Sequence, residues 1–412
     1  MSSGRSRFVF MYPYEPGAYE ARVHGWQALR SRGFEIEAIV VPALAGSPAM
    51  QSGTRELAGA PVVTLADRAS LRAYLERHAS SSMFVDFLFG LGEPSYRGRH
   101  VLPAIAEAGG EYCVVSGGAL PPSDQSVSVS QLKRWLTLAT DPARLGDFVG
   151  RKVEGLVGAL PPTPPPARVF SGHSEALDGY LARTGVPADR LTWVNSFDYD
   201  VYLAYLAAHG GVVPQPEPIA VFLDEGAVNH PDFALLGESS ADLSAEAYSA
   251  SVRRVFDEVE RRTRLRVVVA AHPRVDYSSQ PPFFGEGDVV VGETVDLVAR
   301  SSAVLAHAST AVSFAALFDK PLLIFKTGMM EATSYGATVD RIARGIGVAP
   351  LAADGPAAIQ GFDFDVSHWS RAGFGGYLDR YVRSAEAPRD RTTWDIVADT
   401  LLAAGAVATP KR

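Results

Sequence analysis

Short apolar runs alternate with stretches in which apolar residues recur at helical spacing. Phe8–Tyr12 and Phe34–Val41 read as strands on either side of a helix over Tyr19–Arg32, which Gly33 closes. Further strands are expected at Pro61–Leu65, Met83–Phe89, Glu111–Val115, Arg168–Ser171 and Leu191–Asn195. Helical patterns such as Asp67–His78 and Ser174–Thr184 separate most of them. The second half restarts the alternation. Strands are expected at Ile219–Leu223, Arg266–Ala271, Asp288–Val291, Ala303–His307 and Pro321–Phe325. Helices are expected at Ser244–Arg262, Thr294–Arg300, Thr310–Phe318, Ser367–Arg383 and Thr392–Ala404. Alternation of this kind gives an α/β protein with largely parallel sheets covered by helices.

The Gly- and Pro-rich stretch from His209 to Pro218 breaks any continuing element. It divides the chain into an N-terminal Rossmann-like domain over 1–212 and a second over 213–385. The segment 386–412 reads as a C-terminal helix returning to the first domain. Pro161–Pro166 reads as a loop inside the first domain, because a strand and a helix follow it. Two doubly wound domains facing a central cleft fit the pattern. Ligands of such sheets bind beyond the carboxyl ends of the strands.

At 412 residues, two domains are the natural division. Hydrophobic residues at 47% and charged residues at 20% belong to a folded chain, not a disordered or coiled-coil one. Lys plus Arg is 38 against 46 for Asp plus Glu, a net charge of −8. That balance argues against non-specific nucleic-acid binding and against a polybasic membrane anchor. The single cysteine, Cys113, lies in an apolar strand and reads as a structural thiol. Met1–Arg7 carries no secretory pattern, and no apolar run reaches the ~18 residues of a membrane span. The cytoplasm is the expected location.

The polar residues just after each strand carry the candidate chemistry. Asp224-Glu225-Gly226 follows Ile219–Leu223, and Asn229-His230-Pro231-Asp232 comes shortly after. A carboxylate there can act as a general base, and the same pair also fits a cap or loop role. His272-Pro273-Arg274 follows Arg266–Ala271 and suits a phosphate, or a packed sheet edge. Glu293 follows Asp288–Val291, where it can hold ribose hydroxyls or favour the start of the next helix. Ser309 and Thr310 follow Ala303–His307 at the expected helix start, with Ser309 as its cap.

These residues carry a family resemblance. Asp224-Glu225-Gly226, then His272-Pro273, then Ser309-Thr310 resembles the motif series of bacterial sialyltransferases and related transferases of Kdo and other nonulosonic acids. The motifs stand 48 and 37 residues apart, in that order, within residues 219–326. The resemblance implies a GT-B fold and an inverting, metal-independent transfer from a CMP-activated sugar to a glycan or lipid-linked acceptor, in cell-surface polysaccharide synthesis. It implies Asp224 as the base, with Glu225 as the alternative. His272, with Pro273 and Arg274 beside it, would serve the CMP phosphate and its departure. Ser309 and Thr310 would bind phosphate or the sugar carboxylate, and Glu293 the ribose or cytosine. His230 and Asp232 depart from the family pattern and suit the acceptor, as do Tyr12 and Tyr14 in the first domain.

No metal or other cofactor is expected. Asp198-Tyr199-Asp200 and Asp363-Phe364-Asp365 match a metal-binding triplet, but Asp198 reads as the cap of a helix over Tyr199–Ala207 and Asp363 as a loop residue. Gly90-Leu91-Gly92 lacks the dinucleotide fingerprint. The partners expected are a nucleotide sugar and a glycan or glycolipid acceptor. A lipid-linked acceptor would bring the chain to the inner membrane face. The alternatives are a transferase or epimerase using a UDP- or GDP-sugar, and a non-catalytic sugar- or nucleotide-binding protein.

Overall fold

A computed structural model of the chain describes residues 6–42, 51–92, 100–118, 163–172, 175–227, 245–272, 275, 277, 284, 288–331 and 334–404. The chain forms two compact units. One comprises Met1–Ser116, Ser123–Thr192 and Trp394–Arg412. The other comprises Gly117–Pro122 and Trp193–Thr393.

The first unit contains an eight-stranded sheet. Its strands are β1 (Arg7–Tyr12), β2 (Glu35–Val40), β3 (Gly53–Leu57), β4 (Ala60–Thr64), β5 (Ser82–Asp86), β6 (Glu111–Ser116), β7 (Arg168–Ser171) and β8 (Leu191–Trp193). The order is β3-β4-β2-β1-β5-β6-β7-β8. The inner pairs from β4 to β7 are parallel. At the edge, β3 pairs antiparallel with β4. The sequence pattern missed β3, whose residues are mostly exposed and carry no apolar run.

The expected helix over Tyr19–Arg32 is two helices, Ala18–Val23 and Trp26–Ser31. The break is Gly25, at φ 62°. A Cβ there would lie 2.2 Å from Cγ of Trp394. The Trp394 indole N–H donates to the Val23 carbonyl at 2.9 Å, and its ring lies 5.5 Å from that of Phe10. The C-terminal helix Thr393–Ala403 thus brings Trp394 into the first unit's core. Arg32 pairs with Asp395 at 2.7 Å and also with Asp399.

The second unit contains a six-stranded sheet: β9 (Ile219–Leu223), β10 (Arg266–Ala271), β11 (Asp288–Val291), β12 (Ala303–Ala306), β13 (Leu322–Lys326) and β14 (Leu351–Ala352). All its pairs are parallel. Its order, β11-β10-β9-β12-β13-β14, is the doubly wound 3-2-1-4-5-6 arrangement. Every residue of β9 is buried, as a strand covered on both faces requires. The crossovers reverse direction between β9 and β12. Leu223 pairs with Ala270 on one side and Ala306 on the other, so these strands end level. That register brings the residues after β9, β10 and β12 to one edge.

Three expected helices of the second unit differ. The helix at Thr310–Phe318 is Val312–Leu317, with Ala311 at its N-cap. The helix at Tyr199–Ala207 is Phe197–Ala208, and Ser196 caps it by accepting from the Tyr199 N–H at 3.2 Å. Asp198 is not the cap; it accepts a hydrogen bond from the Ser313 hydroxyl. The stretch Ser367–Arg383 breaks into short helical turns at 366–368, 374–377 and 378–382. There Gly373 packs where a Cβ would strike the Ile346 carbonyl oxygen.

Candidate functional site

The acidic pair stands at the switch point of the second unit. Asp224 and Glu225 are both buried. Neither group is a helix cap. Adjacent residues leaving a strand point apart, and the two carboxylates have different surroundings. Asp224 is held on both oxygens. The Gly226 N–H donates to Oδ1 at 3.1 Å, and the Tyr277 hydroxyl donates to Oδ2. Burial pushes the Asp224 carboxyl up to about 6, while Tyr277 and the Gly226 N–H pull it down.

Glu225 is held less closely. Neither Oε1 nor Oε2 has a hydrogen-bond partner. Burial, and then the charge of Asp224, push its carboxyl well above the usual range. The backbone N–H groups of Glu225 and Ala308 offset this in part.

Gly226 explains why the motif ends in glycine. It adopts φ +69°, and a Cβ would lie 2.5 Å from Cγ2 of Val275. The chain turns sharply there, and the turn returns the Gly226 N–H to Asp224.

His272 stands at the end of β10. Its backbone N–H donates to the Tyr277 hydroxyl at 2.9 Å, and that hydroxyl in turn donates to Asp224. Tyr277 therefore ties the ends of β9 and β10 together. The sequence reading missed it because Tyr277 lies in a loop outside any periodic pattern. Replacing Tyr277 by Phe removes a bond that lowers the Asp224 pKa. The acid limb of any activity that needs ionised Asp224 should then move to higher pH, which a pH–rate profile reads directly.

Ser309 and Thr310 follow β12. The Ser309 hydroxyl accepts from the Ala311 N–H at 3.3 Å, and Thr310 is exposed. The helix after them has six residues, so these hydroxyls offer local hydrogen bonding more than a helix dipole. Glu293 occupies the N-cap position of Thr294–Arg300, with no side-chain capping bond, and is exposed. Pro273, Arg274, His230 and Asp232 lie outside the described residues.

Two buried groups near the pair carried no functional signal in the sequence. His307 ends the apolar run of β12 and is completely buried. Its Nδ1 is 2.5 Å from the Phe325 carbonyl oxygen, while Nε2 has no partner. Burial lowers the imidazole to about 4, so it is neutral, with its proton on Nδ1. Tyr248, on the helix Ala245–Thr263, is buried with an unpartnered hydroxyl. Its ring centroid is 5.9 Å from that of His307. Both resemble core residues in sequence: one closes a strand, the other lies on the buried helix face.

In the first unit, Tyr12 is fully buried. Its hydroxyl lies 2.7 Å from His24 Nδ1, and its ring stacks on Phe87 at 5.7 Å. Tyr12 is thus a core residue and not a platform for a sugar. Tyr14 is only half-buried, with its ring 6.2 Å from that of Tyr12. Asp86, at the end of β5, accepts from the N–H groups of Leu88 at 2.8 Å and Phe89 at 3.1 Å. Burial pushes its carboxyl up to about 7. It fixes the turn after β5.

Among the described residues no three acidic, histidine or cysteine side chains are grouped to hold a metal ion. Asp200 of the Asp-x-Asp triplet accepts from the Thr393 N–H at 2.8 Å. Asp363 sits in an exposed loop beside His368, at 2.7 Å. Among the described residues no helix is long and apolar enough to cross a membrane.

No protein-family model and no curated protein matches the chain. Solved structures do. The wall teichoic acid polymerase TagF aligns over 97% of this chain and 89% of its own, at 9% identity and a TM-score of 0.50. The calicheamicin glycosyltransferase CalG4 aligns over 97% of this chain and 98% of its own, at 16% identity and a TM-score of 0.51. With two doubly wound, largely parallel sheets in succession, the chain has the GT-B fold.

Proposed function

We propose that the chain is a glycosyltransferase that takes its sugar from a nucleotide donor held at the strand ends of the second unit. The observation that carries this reading is the acidic pair at the β9–β12 switch point. Asp224 is held there by Tyr277 and the Gly226 N–H, with a pKa raised toward the working range of a general base. The GT-B fold supports the transferase class.

In the reaction proposed, Asp224 accepts the proton of an acceptor hydroxyl. The acceptor oxygen forms a bond to the anomeric carbon, and the bond from that carbon to the phosphate oxygen breaks. The nucleotide leaves with the electron pair, and the configuration inverts. His272, Ser309 and Thr310 are the residues assigned to the phosphate, and Glu293 to the ribose or base. Hydrogen-bond donors can stabilise a departing monophosphate without a metal ion.

The order Asp-Glu-Gly, His-Pro, Ser-Thr favours a CMP-activated nonulosonic acid as donor. The fold is shared by a teichoic acid polymerase and a calicheamicin glycosyltransferase, so it accommodates different transfers. A transferase or epimerase using a UDP- or GDP-sugar is therefore the second reading. Incubation with CMP-, UDP- and GDP-sugars and mixed glycan acceptors, with and without EDTA, decides between them. The expected result is CMP release and a glycosylated product, unaffected by EDTA. Turnover of a UDP- or GDP-sugar alone would replace the donor. Nucleotide binding without turnover of any donor would point to a non-catalytic binding protein.

A further inference from the structure

Glu225, Tyr248 and His307 present buried polar atoms without partners around one spot. These are both oxygens of Glu225, the hydroxyl of Tyr248 and Nε2 of His307. All three residues are at least nine-tenths buried, at 5%, 2% and 0% exposure. They come from three elements: the turn after β9, the helix Ala245–Thr263 and the end of β12. The Tyr248 ring lies 5.9 Å from His307, and Glu225 is the foremost charge acting on Tyr248. The Ala308 N–H, one residue past His307, acts on Glu225. Buried polar atoms in native proteins are nearly always paired, so a group of them needs a chemical account.

The hydrogen-bonding inventory gives one. His307 uses its only N–H on the Phe325 carbonyl, so Nε2 can only accept. An ionised Glu225 can also only accept, which would leave Tyr248 as the one side-chain donor for three acceptor atoms, beside the N–H groups of Glu225 and Ala308. A protonated Glu225 supplies the missing donor and keeps a carbonyl oxygen for the Tyr248 hydroxyl. Because none of these atoms bonds another directly, an internal water is the link such a network requires.

We propose that Glu225 stores a proton in a network with Tyr248 and His307, and that these two are positioning residues that leave Asp224 as the ionised member of the acidic pair. The inference rests on the transferase reading only for the use made of Asp224. Two adjacent buried carboxyls resist double ionisation, and the proton settles where donors are fewest. Asp224 is hydrogen-bonded on both oxygens, whereas neither Glu225 oxygen meets a hydrogen-bond partner and only the N–H groups of Glu225 and Ala308 act on it from a distance. The titratable groups facing the site, among the described residues, include Asp224, Tyr248, Tyr277, Tyr335 and the neutral His307, with His272 on the Gly226 side of the pair. The charge acting most on Glu225 is that of Asp224, which opposes its ionisation.

Infrared spectroscopy of the full chain with isotope-labelled glutamate tests this without turnover. At pH 7 a carboxylic-acid C=O band from glutamate is expected. It should vanish in Glu225→Gln and change frequency in Tyr248→Phe and in His307→Gln. Tyr248→Phe removes one hydroxyl only, so it keeps the test usable if the His307 variant does not fold. Absence of a glutamic-acid band at pH 7, its survival in Glu225→Gln, or an unmoved band in Tyr248→Phe would overturn the assignment. A chain with the band but no transferase activity would refute the transferase reading alone. An active transferase without the band would refute this inference alone.

Discussion

Asp224→Asn should lower transfer by about 10²–10⁴-fold, the usual contribution of a general base, while making the folded protein more stable at pH 8. The two effects have one cause. Burial lifts the Asp224 carboxyl from 3.8 to about 6, so folding works against its ionisation. A group with a raised folded pKa stabilises the fold fully only below its unfolded value, and that contribution is lost as pH rises through the folded value. Above about pH 6 the wild type carries the whole penalty, on the order of 3 kcal/mol at about 1.4 kcal/mol per unit. Asparagine does not ionise, and it keeps an oxygen for the Gly226 N–H. Its unfolding midpoint should therefore exceed that of the wild type at pH 8, and the difference should disappear near pH 4. Denaturant melts across this range, paired with rates, measure both. Glu225 acts in the same direction, so the wild type should lose more stability with rising pH than Asp224 alone accounts for. A variant that lost activity together with stability at pH 8 would mark Asp224 as structural.

Gly25→Ala should be among the most damaging single-methyl changes in the first unit. The residue adopts φ 62°, where an L side chain is strained by roughly 1–2 kcal/mol. The new methyl would also enter the Trp394 side chain, with Cγ, Cδ1 and Cβ at 2.2, 2.3 and 2.7 Å. Overpacking of this kind costs about 1–3 kcal/mol. Relief requires Trp394 to move, which would strain its bond to Val23 and its packing on Phe10. A loss of about 2–5 kcal/mol is expected, or a fall of several degrees in melting temperature for a unit of this size. Limited proteolysis should then release the C-terminal helix first. A melting temperature within a degree of wild type would show that Trp394 is dispensable.

These two residues also show what the sequence could tell and what it could not. Ile219–Leu223 and Arg266–Ala271 were legible to the residue, because a buried parallel strand is an apolar run, and so was Asp288–Val291, an edge strand marked by its three valines. Once those ends were placed, the positions of Asp224, Glu225 and His272 followed. The break at Gly25 was not legible, because its cause is Trp394, far along the chain. Asp198 read as a cap because acidic residues suit helix starts, yet Ser196 takes that role and Ser313 claims the Asp198 carboxylate. Tyr277, Tyr248 and His307 were invisible for a related reason. Their importance comes from atoms that meet across β9, β10, β12 and a helix, while each alone has the pattern of a loop or core residue.

Calorimetric titration of the full chain with CMP, CDP, UMP, UDP and GDP, beside the His272→Ala variant, tests most directly whether the second unit is a nucleotide-sugar site. Selective binding of CMP is expected, unaltered by EDTA and weakened at least tenfold, about 1.4 kcal/mol, in His272→Ala. No binding of any of these nucleotides, or binding indifferent to His272→Ala, would contradict such a site.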